Sequence, residues 1–196
     1  KARPAYASWL GRVRERFPEV LIVDGSRLDA IAHRLKLLRH DPAQILPGCL
    51  TVFYDLWRGI TRHVLFFPDA AEAELPRAQA VLQDLTPGTL LLGDRLYASL
   101  QYFHHLAGLK LYGLFRRHGR LILKRLTRFS SQQGHGRFLE DGLVEVGCGI
   151  GQPKLTLRLI RYRSQGRRLD LLTNVLEPRR LSPEEALALY RLRWSI

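Results

Sequence analysis

Methionine is absent from all 196 residues, position 1 included, so the chain reads as a segment of a longer protein. Cysteine occurs only at Cys49 and Cys148, which excludes a disulfide framework or a four-cysteine zinc site and suits a reducing compartment. No apolar run approaches the roughly 20 residues that span a bilayer, and no signal-peptide core follows Lys1-Ala2-Arg3-Pro4, so neither membrane insertion nor secretion is expected. Internal repeats and low-complexity tracts are missing too. Acidic residues are in deficit, 18 against 31 Lys and Arg, for a formal net charge of +13. What is plentiful, 46% hydrophobic and 25% charged residues, is the composition of an ordered globular chain. Its length suits one domain, or one with a large insertion, burying about 70% of its unfolded surface.

The positive charge is concentrated. Between Lys110 and Arg168 stand 14 Lys and Arg against only Glu140, Asp141 and Glu145, so +11 of the net +13 lies in that window. Lys and Arg that meet phosphates release counterions and supply most sequence-independent affinity for nucleic acid. Arg predominates, and its planar fork suits phosphate oxygens. A solvated basic surface is the competing reading of the charge taken alone.

Along the chain, Tyr6, Trp9, Leu10, Val13 and Phe17 fall at helical spacing until Pro18,. The run Val20-Leu21-Ile22-Val23 stops at Asp24, and Ser26 is placed to cap a helix carrying Leu28, Ile31, Leu35 and Leu38,. Leu50 to Tyr54 and Ile60 to Phe67 predict an antiparallel hairpin turning at Trp57-Arg58-Gly59,. Asp69-Ala70-Ala71-Glu72 predicts a helix start leading to about Asp84,. Thr89 to Leu92 is a second apolar run, ending after Gly93 at Asp94, with a helix expected from about Ala98 to Leu106 and a strand from Leu109 to Phe115. From Arg120 to Thr173 short strand-like runs are expected, separated by turns at Gly134, Gly136, Gly142, Gly147, Gly149 and Gly151. Ser182-Pro183-Glu184-Glu185 is a complete helix-start pattern,.

The chemistry rests on two carboxylates. Leu21-Ile22-Val23-Asp24-Gly25 and Leu90-Leu91-Leu92-Gly93-Asp94 each deliver an Asp at the end of a buried run. Neighbouring strands would bring the two acids to one sheet edge, where they repel unless a divalent cation or a shared proton neutralises them. Mg²⁺ takes oxygen ligands from one or two carboxylates plus substrate phosphates, an arrangement suited to metal-assisted phosphoryl chemistry. The other reading is that each Asp caps the turn after its strand. On the last helix Tyr190 and Arg193 are three apart and share a face with position 197, one beyond the end,. The histidines and cysteines lack metal-ligand spacing and carry no assigned role.

These motifs resemble those of the DDE transposases of bacterial insertion sequences, the insertion-sequence-four type. Val23-Asp24-Gly25-Ser26 matches the family's first motif and Asp94-Arg95-Leu96-Tyr97 its second, with Leu96 where many relatives have Gly. Tyr190-Arg191-Leu192-Arg193-Trp194-Ser195-Ile196 matches its third, Tyr, two residues, Arg, three residues, Glu, and stops where the Glu belongs. The resemblance runs from about Val20 to Ile196 and implies an α/β, ribonuclease H-like mixed sheet flanked by helices, with a β-rich insertion before the last helix. It divides the chain into an N-terminal helix (1–19), a core bearing two catalytic acids (20–119), a basic insertion (120–175) and the start of the final catalytic helix (176–196).

The resemblance also implies a bacterial, cytoplasmic polynucleotidyl transferase that associates with the nucleoid when DNA-bound. Such an enzyme cuts double-stranded DNA at the element's end and joins the freed 3′-hydroxyl to target DNA, acting as a homodimer on DNA. Asp24 and Asp94 would be the catalytic ligands of Mg²⁺, with Mn²⁺ as a substitute. Tyr190 and Arg193 would meet DNA phosphates, and the insertion, with Arg161, Arg163, Arg167 and Arg168, would hold the transposon end. Lacking a third acid, this segment alone is expected to be inactive or nearly so. A reading from another class is a basic nucleic-acid-binding module, or transposase remnant, without chemistry.

Overall fold

The computed structural model describes residues 4–28, 37, 39–40, 48–69, 74–147 and 153–194. Its elements in chain order are α1 (Pro4–Arg16), β1 (Val20–Arg27), β2 (Cys49–Asp55), β3 (Ile60–Phe67), α2 (Glu74–Leu82), β4 (Leu90–Gly93), α3 (Leu100–Gly108), β5 (Tyr112–Arg116), β6 (Leu123–Gly134), β7 (Arg137–Val146), β8 (Leu155–Ser164), β9 (Arg167–Thr173) and α4 (Pro183–Leu192). The nine strands form one sheet in the order β3-β2-β1-β4-β5-β9-β8-β7-β6. β1, β4 and β5 are parallel neighbours, while the remaining pairs are antiparallel. The mixed α/β architecture flanked by helices is therefore as expected.

The three parallel strands are apolar on both faces because helices cover both. Leu21, Val23 and Leu91 pack on one side with Val81 and Leu82 of α2 and Phe103 and Leu106 of α3. Val20, Ile22, Leu90 and Leu92 pack on the other with Val13 of α1 and Leu187, Leu189 and Tyr190 of α4. Side chains alternate along a strand, so position 24, and position 94 by continuing the alternation, fall on the α4 side. Among the described residues no helix is long and apolar enough to cross a membrane.

Several local expectations change. Ser26 lies in a strand: β1 continues through it to Arg27, pairing with β2 at Asp24↔Val52, Gly25↔Thr51 and Ser26↔Leu50. The strand runs on through Gly25 and Ser26 because β2 offers its backbone a full set of partners. Of the helix expected on Leu28, Ile31, Leu35 and Leu38, Leu28 is helical and the other three lie outside the described residues. So does most of the helix start expected at Asp69 to Glu72, whose helix is observed as α2. α3 is capped by Ser99, whose side chain accepts from the Tyr102 amide at 3.2 Å. The strand after it starts only at Tyr112, since the chain leaves α3 through Lys110 in the left-handed region, φ 57.

The segment expected as short runs folds as two long hairpins. His135-Gly136 and Gln165-Gly166 both have positive φ at both positions, the geometry of tight turns that match strand twist, and they join β6 to β7 and β8 to β9. Gly142 is not a turn residue. It lies within β7, where a Cβ would meet the Thr127 carbonyl oxygen at 2.4 Å, beside a register shift in the β6–β7 pairing. Gly149 and Gly151 lie outside the described residues. The β6–β9 strands continue the same sheet, joined to it by β9 pairing with β5.

Candidate functional site

β1 and β4 run side by side with Leu21 opposite Leu91 and Ile22 opposite Leu92. Two places further on, where their pairing has ended, stand Asp24 and Asp94. Asp24 is held above the usual carboxylate range first by partial loss of water, with Arg193 opposing and the Asp94 charge adding to the rise. Asp24 is nonetheless open, its side chain 59% exposed. It forms one wall of a cleft of about 410 Å³ with Ile22, Leu50, Val52, Tyr54 and Arg193.

The two acids differ in what holds them. Asp94 Oδ1 accepts from the Leu96 amide at 2.7 Å, the local turn that an Asp after a strand commonly makes. Asp24 sits inside a strand and, among the described residues, caps nothing. Its partner is Arg193, whose Nη1 donates to Oδ1 at 3.0 Å from a side chain only 6% exposed. At the opposite end of the same strands the acids have the character of structural ones. Glu19 and Asp55 are buried and both take the Arg58 guanidinium, at 3.0 and 2.7 Å.

α4 brings its residues to the acids for reasons visible in its sequence. Ser182 and Glu185 form a reciprocal cap, the Glu185 amide to Ser182 Oγ at 3.1 Å and the Ser182 amide to Glu185 Oε2 at 2.9 Å, which fixes where the helix begins. Ala186, Leu187, Leu189 and Tyr190 bury one face, and Arg193 follows at the helix end. The Tyr190 hydroxyl is buried beside the Arg193 guanidinium. Burial pushes its pKa up, the charges of Arg193 and Arg116 pull it down, Asp94 pushes it up again, and a hydrogen bond with Arg193 pulls it down. Arg116, which the sequence reading counted only as charge, ends β5 next to β4 and faces this group. Its signal is positional: it closes a parallel strand adjacent to the one that delivers Asp94.

The four arginines expected to hold DNA are placed unevenly. Arg161 pairs with Glu140 at 2.7 Å and Arg163 with Asp170 at 2.7 Å, both across the strands and about a quarter exposed. Arg168 is 67% exposed and reaches Asp170 only at 3.7 Å, and Arg167 is exposed in the turn region beside it. All four lie on β8 and β9, three or more strands from β1.

Two carboxylates offer hard oxygen donors of the kind a divalent cation takes, and the mutual repulsion at Asp24 and Asp94 is what such an ion relieves. By the chemistry of their donor atoms the two residues fit a divalent cation. Among the described residues no group of three or more His, Cys, Asp or Glu is gathered to hold a metal. A family model described as transposase DDE domain matches residues 15–196, and no curated protein matches the chain.

Proposed function

Because the chain belongs to the transposase DDE domain family, whose members use divalent metal ions, we propose that it is the catalytic domain of an insertion-sequence-four-type transposase that cuts and joins DNA strands with Mg²⁺. The observation that supports this most is the meeting of three elements: β1 and β4 run side by side and carry Asp24 and Asp94 two places past their last pairing, and α4 lays Arg193 on Asp24 at 3.0 Å.

Asp24 and Asp94 would hold the ion, which when bound activates the attacking oxygen and neutralises charge at the scissile phosphate. The chain's own groups do the rest. Arg193 and Arg116 place positive charge where the phosphate must lie, and charge-assisted hydrogen bonds to phosphate are among the stronger ones. Tyr190, a phenol protonated at neutral pH and held further toward that form by burial, has a donor to give to a phosphate oxygen. The exposed Arg167 and Arg168 extend the contact along the DNA away from the acids, and a homodimer on DNA would present two such sites.

The test is DNA nicking and strand joining by the protein bearing this domain, with Mg²⁺ or Mn²⁺. Asp24→Asn and Asp94→Asn are each expected to lower the rate by at least about 100-fold, since losing a direct ligand should exceed the 10–100-fold typical of outer partners. Undiminished cleavage in Asp94→Asn would remove that residue from the mechanism. DNA binding with no cleavage by the unaltered protein would favour a binding module instead.

A further inference from the structure

Arg158 lies within β8 with none of its surface exposed, and Asp141 on β7 beside it is 1% exposed. Arg158 Nε and Nη2 donate to the two Asp141 oxygens at 2.6 and 2.8 Å, the bidentate fork that fixes a guanidinium in direction as well as place. The third nitrogen, Nη1, donates to the carbonyl of Leu181 at 2.7 Å. Leu181 immediately precedes Ser182, the cap from which α4 starts.

A buried ion pair is a poor way to gain stability, because apolar side chains of similar volume commonly do as well or better. What Leu and Met in these places could not do is hold a rigid donor at the Leu181 carbonyl. α4 is a stiff lever of ten residues, about 15 Å at 1.5 Å per residue, and its far end carries Tyr190 and Arg193. A second clamp grips the same end from outside: Arg16 donates to Glu185 at 2.7 Å and to the Arg179 carbonyl at 3.0 Å. Losing the inner clamp would therefore leave α4 docked but free to shift.

We propose that Arg158, held by Asp141, is a positioning residue for the acid site, setting where α4 begins and so where Arg193 meets Asp24. This rests on reading Asp24 and Arg193 as site residues.

The test compares the unaltered protein with the double variant Asp141→Leu/Arg158→Met, which strands no buried charge. Its melting temperature is expected to stay within a few degrees. The readout is the side-chain Nε–H signal of Arg193 in a ¹H–¹⁵N spectrum, assigned by its loss in Arg193→Lys. That Nε is buried, so its proton exchanges slowly. The signal is expected to broaden or move to the position of a free guanidinium in the double variant, and single-turnover DNA cleavage to fall at least tenfold. An unchanged Arg193 signal in the folded double variant overturns the proposal, whatever the cleavage result. A displaced signal in a protein whose unaltered form never cleaves DNA supports the positioning role while sinking the enzymatic reading. Should the double variant fail to fold, Arg158→Lys decides. It keeps a charge beside Asp141 with one nitrogen in place of three, so a folded Arg158→Lys protein with an unmoved Arg193 signal also overturns the proposal.

Discussion

Asp24 is a carboxylate placed for something other than stability. Folding raises its pKa, so the native state holds its proton more tightly than the unfolded chain does. The stability this contributes is present below the ordinary carboxylate pKa and is lost as pH rises through the raised folded value. At neutral pH the ionised group is thus a burden that Asp24→Asn removes. Thermal unfolding should show the difference between variant and parent more favourable to the variant at pH 7 than at about pH 4. A gap that grows toward acid would contradict this. Tyr190 gives a companion case, since its hydroxyl is buried beside the Arg193 guanidinium. Tyr190→Phe is expected to leave stability unchanged or raise it by up to about 1 kcal/mol, while weakening DNA binding or cleavage. A clear fall in melting temperature would mean that the hydroxyl's contact with Arg193 stabilises the fold.

At the scale of elements, α4 was the most legible part of the chain. Ser182, Pro183 and Glu185 act locally, and the capping box they predict is the one observed. Ser182→Ala should cost about 1 kcal/mol, a drop of about 2–4 °C in melting temperature for a chain of this size. No drop would mean that Arg16 and Arg158 hold the helix start without the cap. The strand ends were less legible. The run before Asp24 looks finished because Gly25 and Ser26 are turn and cap residues, yet β2 pairs with them and carries β1 on to Arg27. β6 escaped recognition as a long strand because it is mostly exposed and lacks the buried alternation that marks a strand. Gly142 was misread for a related reason. A glycine demanded by the close approach of another strand looks in sequence like a glycine demanded by a turn.

For the whole molecule, the concentrated positive charge is real, but the fold divides it. Glu140 draws in Arg125 and Arg161, each at 2.7 Å, and Asp170, two residues past the basic window, draws in Arg163. DNA affinity should still fall steeply with salt, but the basic residues should not contribute equally. Arg168→Ala is expected to reduce the slope of log affinity against log salt by about 1 with little change in stability. Arg161→Ala is expected to lower stability by about 1–2 kcal/mol, because it takes a hydrogen bond from the buried Glu140. Equal slopes and equal melting temperatures for the two variants would show that the cross-strand pairing does not sort these arginines in solution.

Sequence alone determined the residue types and their local grammar: two apolar runs ending at Asp24 and Asp94, a capped final helix bearing Tyr190 and Arg193, and a surplus of positive charge in one window. These rest on interactions within a few residues, or on composition, which a linear reading can follow. Tertiary structure decided that β1 and β4 lie side by side, that Arg193 meets Asp24 across 169 positions of chain, that Arg116 joins the same face, and that Arg158 is buried to tie down the start of α4. Each of these depends on which strands become neighbours and on which face alternation gives each side chain. A one-dimensional pattern carries the alternation but not the pairing.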